Sequence, residues 1–218
     1  MKIYLASGNL HKKQEMASIF SGHTILVPAD DGITFDPEEN GKTFLDNSLI
    51  KAKALWDLVR QPVLADDSGI CVDILDGVPG IYSARYAGKE MHTGRPGGRK
   101  ISQEERNQLL LEEVAQVIES GEKGCSRSCR YVCAMTLYLG FDRFYAVQET
   151  MEGSLVEDIS QSRGKGGFGY DPIVIIKSIG KTVAEISPEE KNKISHRGKA
   201  GAILNAMLEN LPFTAFEK

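Results

Sequence analysis

A pair of adjacent aspartates inside an otherwise apolar run, Ala65-Asp66-Asp67-Ser68-Gly69-Ile70, constrains this chain more than any other feature. The preceding Pro62, Val63, Leu64 and Ala65 read as a short β-strand. Asp66 and Asp67 are therefore expected at its C-terminal end, where open α/β sheets bind their ligands. Neighbouring carboxylates repel unless a cation or a shared proton lies between them, and ligation by oxygen alone suits Mg²⁺. Asp-Ser-Gly also favours an Asx-turn that needs no ligand. Residues 65–88 carry four aspartates, four glycines, a proline and an arginine, which leaves too few apolar residues for an ordinary core segment.

Around this segment strands and helices alternate, the pattern of an α/β fold. Residues 2–6 read as a strand, and Ser7-Gly8-Asn9 turns into a helix at 11–20 that stops before Gly22. Thr43 and Asp46 make a capping-box-like start to a long helix. Its Leu45, Leu49, Ala52, Trp56 and Val59 fall on one stripe, with Asn47 and Lys51 together on another face. After the strand at 63–65 and the Asp-Ser-Gly turn, residues 70–74 form a second short strand. Ser102 with Glu105 starts a helix ending near Gly121, and strands follow at 130–139 and 144–153. The glycine-rich residues 163–172 lead into a strand at 173–176. Ser187, Pro188, Glu189 and Glu190 combine a cap, a first-turn proline and acidic residues at the positive end of a helix. A last helix at 197–210 turns Ala200, Ile203, Leu204 and Met207 inward. Residues 88–100, with Arg95, Arg99 and three glycines or prolines beside them, read as an exposed loop. With no internal repeat and no linker, residues 1–218 read as one domain.

The net charge of −4 argues against a non-specific nucleic-acid binder, although local lysines and backbone amides still hold small anions. No apolar run approaches membrane-spanning length, and Met1 to Ala6 meets Ser7-Gly8-Asn9 too soon for a signal peptide, so the cytoplasm is expected. Cys125, Cys129 and Cys133 recur every four residues. The aromatic and β-branched residues after Cys129 read as a strand, which lines the thiols on one face as packing residues, without zinc spacing.

Two segments suit phosphate. Ser7, Gly8, Asn9, Leu10, His11 and Lys12 place free amides and a lysine at a helix N-terminus, where the dipole favours an anion. The spacing is not that of a P-loop. The loop at Gly164–Gly169 lets backbone approach a ligand, and Tyr170 beside it offers a face for a base. Near the C-terminus Lys191, His196 and Arg197 share a short inter-helix turn. Their donors match a keto oxygen on a purine, whereas an exocyclic amino group would set donor against donor.

Taken together the motifs resemble those of the inosine triphosphate pyrophosphatase family. They are Ser-Gly-Asn-x-x-Lys-x-x-Glu from Ser7 to Glu15, Thr-Phe-x-Asp-Asn at Thr43, Ala-Asp-Asp-Ser-Gly at Ala65, Pro-Gly-Ile-Tyr-Ser-Ala-Arg-Tyr at Pro79, Gly-Gly-Phe-Gly-Tyr-Asp-Pro at Gly166 and Ser-His-Arg at Ser195. The resemblance implies a mixed central sheet flanked by helices, forked into two lobes around a substrate cleft, in a homodimer. It implies Mg²⁺-dependent hydrolysis of ITP, dITP or XTP to the monophosphate and pyrophosphate. By motif position Ser7 to Lys12 and Lys51 hold phosphates, and Asp67 is metal ligand and proton acceptor. Ser68 touches substrate, and Phe168, Gly169, Tyr170 and Asp171 embrace the nucleoside. Lys191, His196 and Arg197 complete the pocket. Glu38 matches, more loosely, a second metal carboxylate. Asp46 stands where the family usually has Glu, and His11 fills a variable position with no role of its own. A related pyrophosphatase of modified pyrimidine nucleotides, or a nucleotide-binding module without catalysis, remains open. A Rossmann dehydrogenase is a weaker alternative still, because no G-x-G-x-x-G follows the first strand.

Overall fold

The computed structural model describes residues 1–87, 101–121 and 123–211, so the loop expected at 88–100 lies outside the described residues. Strand β1 (Lys2–Leu5) is followed by helix α1 (Leu10–Ile19), β2 (Thr24–Leu26), α2 (Phe44–Val59) and β3 (Val63–Val72). Then come α3 (Gln103–Ser120), the strands β4 (Ser128–Gly140), β5 (Arg143–Leu155), β6 (Val174–Ile176) and β7 (Lys181–Thr182), and finally α4 (Pro188–Ile194) and α5 (His196–Glu209). The strands form a seven-stranded sheet in the order β2-β1-β3-β4-β5-β6-β7. It is mixed, as expected. β1 pairs in parallel with β2 (Ile3 opposite Ile25) and with β3 (Leu5 opposite Leu64), while β6 pairs antiparallel with β5 and β7. Parallel neighbours need a crossover, and α1 and α2 supply it. No helix among the described residues is long and apolar enough to cross a membrane.

The caps read from sequence are present. Thr43 Oγ1 accepts the Asp46 N–H at 3.1 Å while the Asp46 carboxylate accepts the Thr43 N–H at 3.0 Å. Ser102 and Glu105 make the same reciprocal pair, and α3 ends at Gly121 in the left-handed conformation. Asp46 is thereby used as a cap at the exposed helix start.

The chain divides into two compact units: Met1–Asp67, Cys133–Glu149 and Asn192–Lys218 form the first, Ser68–Val132 and Thr150–Lys191 the second. In the first, strand alternation sorts side chains between two cores. Ile3, Leu5, Leu64, Cys133, Met135 and Leu137 face Met16 and Phe20 of α1 and Ala200, Leu204 and Leu208 of α5. Ala6, Val63, Ala65 and Tyr138 face Ala52, Leu55 and Trp56 of α2. The expected helix stripes are rotated. Leu45 of α2 and Ile203 and Met207 of α5 are exposed, and α2 instead buries Asn47, Ser48 and Lys51 beside its apolar residues. Those polar groups are buried because charged and polar strand residues receive them. In the second unit the buried side chains include Ile70, Val72, Leu110, Val114, Tyr131, Ile173 and Val174, and the fully buried Tyr86 hydrogen-bonds Glu113.

Cys129 and Cys133 lie buried in β4, and burial pushes both thiols up to about 12. Cys125 precedes the strand and is exposed, so the expected row of three thiols is a row of two.

β4 and β5 are joined through Phe141 and Asp142, both at positive φ. Gly140 just before them has φ +96°, and a Cβ there would stand 2.2 Å from Trp56 Cζ2. Gly140→Ala is therefore expected to cost about 2 kcal/mol from strain and overpacking, lowering the melting temperature by roughly 4–8 °C. A thermal melt coincident with that of the native chain would show that Trp56 yields freely.

Candidate active site

The sheet's alternation decides what the two aspartates do. β3 is one continuous strand from Val63 to Val72, so Asp66 and Asp67 lie inside it and not at its end, and Asp-Ser-Gly is strand and not turn. The expected second strand at 70–74 is its continuation, which ends in a 3-10 turn at Asp73–Leu75. Gly69 is needed for closeness: a Cβ there would come 2.4 Å from Gly80 O and from Ser83 Oγ. Consecutive strand residues point to opposite faces, so Asp66 joins Leu64 on the α1–α5 side and Asp67 joins Ala65 on the α2 side. The neighbouring carboxylates thus avoid each other, and each meets its own cations.

Asp66 is buried between Lys12 Nζ at 3.0 Å and Arg197 Nε at 3.1 Å, and the same guanidinium holds Glu15 at 2.7 Å. Burial alone raises a carboxyl pKa. Here Lys12, Arg197 and Lys51 outweigh it and hold Asp66 far below the usual carboxylate range. Arg197, equally buried, is pushed up despite its desolvation by Asp66 and Glu15. Arg197 and His196 open α5 directly, with Ser195 alone between α4 and α5 capping Gly198 N at 3.1 Å. They are buried helix residues and not members of a solvated turn.

The Ser7–Lys12 segment is less open than its sequence suggests. Asn9 Oδ1 accepts the N–H groups of His11 (2.9 Å) and Lys12 (3.3 Å), and the Asn9 N–H donates to Ser7 Oγ at 3.1 Å. Those amides already have acceptors, because Asn9 is the helix cap. Gly8, Leu10 and His11 are exposed, and Lys12 supplies the charge.

On the other face Asp67 Oδ1 lies 3.3 Å from Lys51 Nζ, and Oδ2 accepts Asn47 Nδ2 at 3.1 Å. Lys51 Nζ also reaches Glu39 at 3.1 Å. Burial raises the Asp67 pKa above its ordinary value, and Lys51 and Asn47 only partly offset it. Lys51 is raised in turn, its own burial outweighed by Asp67, Asp66 and Glu39. The carboxylate that joins this cluster is Glu39. Glu38, the residue expected from sequence, is exposed. Among the described residues no group of three or more His, Cys, Asp or Glu gathers as a metal cage. Mg²⁺ seldom uses one, binding through one or two carboxylates plus substrate phosphates. Asp67 and Glu39, both aimed at one cation already, fit that donor set.

In the second unit Asp171 organises the glycine-rich turn. Its carboxylate accepts Tyr131 Oη at 3.0 Å, Lys191 Nζ at 2.7 Å and the Phe168 N–H at 2.8 Å. Lys191 Nζ also sits 4.7 Å above the Phe168 ring, while Asn107 Nδ2 donates to Gly169 O at 3.2 Å. Tyr170 is buried with its hydroxyl on Ser83 O at 2.8 Å, so it anchors the turn and Phe168 is the more accessible ring. Ser68 is half-buried in β3. The strand expected at 173–176 loses Ile173 to a 3-10 turn.

Glu15 and Asn47 have places in the sequence motifs but no site role there, and Glu39 is not marked by the sequence at all. Glu15 follows Lys12 at helical spacing, and Asn47 precedes Lys51 by one turn, so both signals were present. Glu39 sits in a stretch without periodicity, where no pattern separates it from Glu38.

The model of the Ham1 family matches residues 3–207. A dITP/XTP pyrophosphatase of Treponema denticola is 51% identical over 200 residues, 92% of this chain and 94% of that protein. A dITP/XTP pyrophosphatase of Thermus thermophilus is 40% identical over 96% of this chain and 91% of its own length. Among solved structures, a HAM1 protein from Coxiella burnetii superposes with a TM-score of 0.81 at 33% identity, covering 97% of this chain and 100% of that one.

Proposed function

The chain belongs to the Ham1 family, and from that premise we propose that it hydrolyses non-standard purine nucleoside triphosphates, dITP, ITP and XTP, to the monophosphate and pyrophosphate. The observation that carries the reading is the buried Asp67 carboxylate held between Lys51 and Asn47, in a chain whose relatives are named for this activity. The family match runs through both units, which supports treating residues 1–218 as one catalytic domain.

Water attacks the α-phosphorus and pyrophosphate leaves, so negative charge grows on the phosphoryl oxygens and the bridging oxygen. Asp67 takes the proton from the attacking water, and its raised pKa brings its basicity closer to working pH. Lys12, Lys51 and Lys191 bind the phosphates. Each ammonium has three donors, so the carboxylate on Lys12, that on Lys191 and the two on Lys51 do not exhaust them. Ser7 to His11 shape the turn that Lys12 projects from. Asp67 and Glu39 would hold Mg²⁺, which when bound supplies positive charge against the phosphoryl oxygens. Phe168 offers its ring to the base, with Gly169 allowing close approach, and Ser68 and His196 donate to the substrate. Asp171 and Arg197 act as holders, of Lys191 and the Phe168 turn in one case and of Asp66 and Glu15 in the other. The enzyme is a cytoplasmic homodimer in this reading, and its partner is a small nucleotide, with neither nucleic acid nor membrane involved.

A panel of triphosphates assayed for pyrophosphate release with Mg²⁺ tests the reading. We expect kcat/KM for dITP, ITP and XTP to exceed that for dATP and for modified pyrimidine nucleotides by roughly 100-fold or more, because a mismatched exocyclic group leaves buried donors unpaired. Equal turnover of all bases, or faster turnover of pyrimidines, would remove the purine assignment.

A further inference from the structure

We infer that Asn47 is the positioning residue of this site: its side-chain amide ties the Asp67 carboxylate to the loop that carries Glu39, and so sets how the two carboxylates stand around Lys51. The inference rests on the activity proposed above. Asn47 is 1% exposed, on the buried face of α2, one turn before Lys51. Its Oδ1 accepts the Gly41 N–H at 2.9 Å. Since a backbone N–H only donates, the amide orientation is settled, and the opposite end must be Nδ2, which donates to Asp67 Oδ2 at 3.1 Å. Gly41 follows Glu39 by two residues, and Glu39 Oε2 lies 3.1 Å from Lys51 Nζ, whose other contact is Asp67 Oδ1 at 3.3 Å. One buried amide therefore closes a ring through Asp67, Lys51, Glu39 and Gly41.

Within that ring the long lysine stem is the compliant member and the two-torsion amide the stiff one. On Asp67 itself the amide contact is the shorter, 3.1 Å from Asn47 Nδ2 against 3.3 Å from Lys51 Nζ. While Lys51 holds Asp67 Oδ1, Asn47 holds the oxygen that Lys51 does not, Oδ2. It acts by fixing the plane of the Asp67 carboxylate and the approach of the loop.

Asn47→Asp separates positioning from simple support. The substituted carboxylate still accepts the Gly41 N–H but can no longer donate to Asp67. Asn47→Ala loses both contacts. We expect kcat for dITP to fall roughly 10- to 100-fold in both variants, the loss of one buried hydrogen bond to a charged group. KM, and calorimetric binding of a dITP analogue with a methylene α–β bridge, should change by less than about threefold. Asn47→Asp retaining kcat within about threefold of the native enzyme would make Asn47 a loop support only and overturn the inference. Loss of analogue binding in step with kcat, or failure of both variants to fold, overturns it too. The native enzyme run alongside keeps the two readings apart: if it turns over dITP, only the role of Asn47 is at stake, and if it releases nothing, the proposed activity itself has failed.

Discussion

Asp67→Asn removes turnover, with kcat for dITP falling by about 10²–10⁴-fold or more, the range lost when a general base is deleted. The fold survives the change. Asn is isosteric with Asp, and its carbonyl oxygen still accepts one hydrogen bond, from Lys51 or from Asn47. The sign of the stability effect follows from linkage. Burial raises the Asp67 pKa, so the folded state binds that proton more tightly than the unfolded state does. Charged Asp67 therefore costs stability near neutral pH, and the cost is relieved as pH falls through the folded pKa. Deleting the charge forfeits no stabilisation from this group, and the melting temperature of Asp67→Asn at pH 7 should equal or exceed that of the native chain. Pyrophosphate release and a thermal melt on the same preparation check both halves. A variant with most of its kcat intact would end the role of Asp67 as proton acceptor.

The preceding residue behaves in the opposite way. Asp66→Asn leaves Lys12 and Arg197 facing a neutral amide in a site where Arg197 is almost wholly buried. Removing one partner of a buried ion pair costs about 3–5 kcal/mol. Lys12 retains some access to water and Glu15 still holds the guanidinium, which favours the lower end. For a chain of this length the melting temperature is expected to drop by roughly 6–20 °C. The folded pKa of Asp66 lies below its unfolded value, so its contribution is present above the unfolded pKa, about 3.9, and is lost as pH falls towards the folded one. The gap between native and variant melting temperatures should accordingly narrow below about pH 4. A drop of less than about 2 °C at pH 7 would show that Lys12 and Arg197 do not depend on this carboxylate. Two neighbouring aspartates are thus expected to separate in these assays, Asp67 by its effect on turnover and Asp66 by its effect on stability.

Much of this was legible in the residues themselves. The α/β alternation, the Thr43–Asp46 and Ser102–Glu105 caps and the Gly121 stop rest on interactions within a few positions of one another, and local chemistry determines such features wherever the segment is placed. The sharing of one helix face by Asn47 and Lys51 is of the same kind.

Tertiary structure alone decided the rest. Asp-Asp-Ser-Gly favours a turn by its own propensities, and it is a strand because Lys12, Lys51 and Arg197, distant in the chain, bring positive charge to both faces of β3. The helix stripes rotated for the same reason, since Lys51 and Asn47 are buried towards a carboxylate that apolar periodicity does not register. Glu39 was chosen over Glu38 by the reach of a lysine on another element. The sequence by itself determined the α/β alternation, the helix caps and the stops, because those rest on neighbours in the chain. Only the folded chain decided which carboxylate meets which cation, because the charge that neutralises a buried group comes from residues far away along the chain.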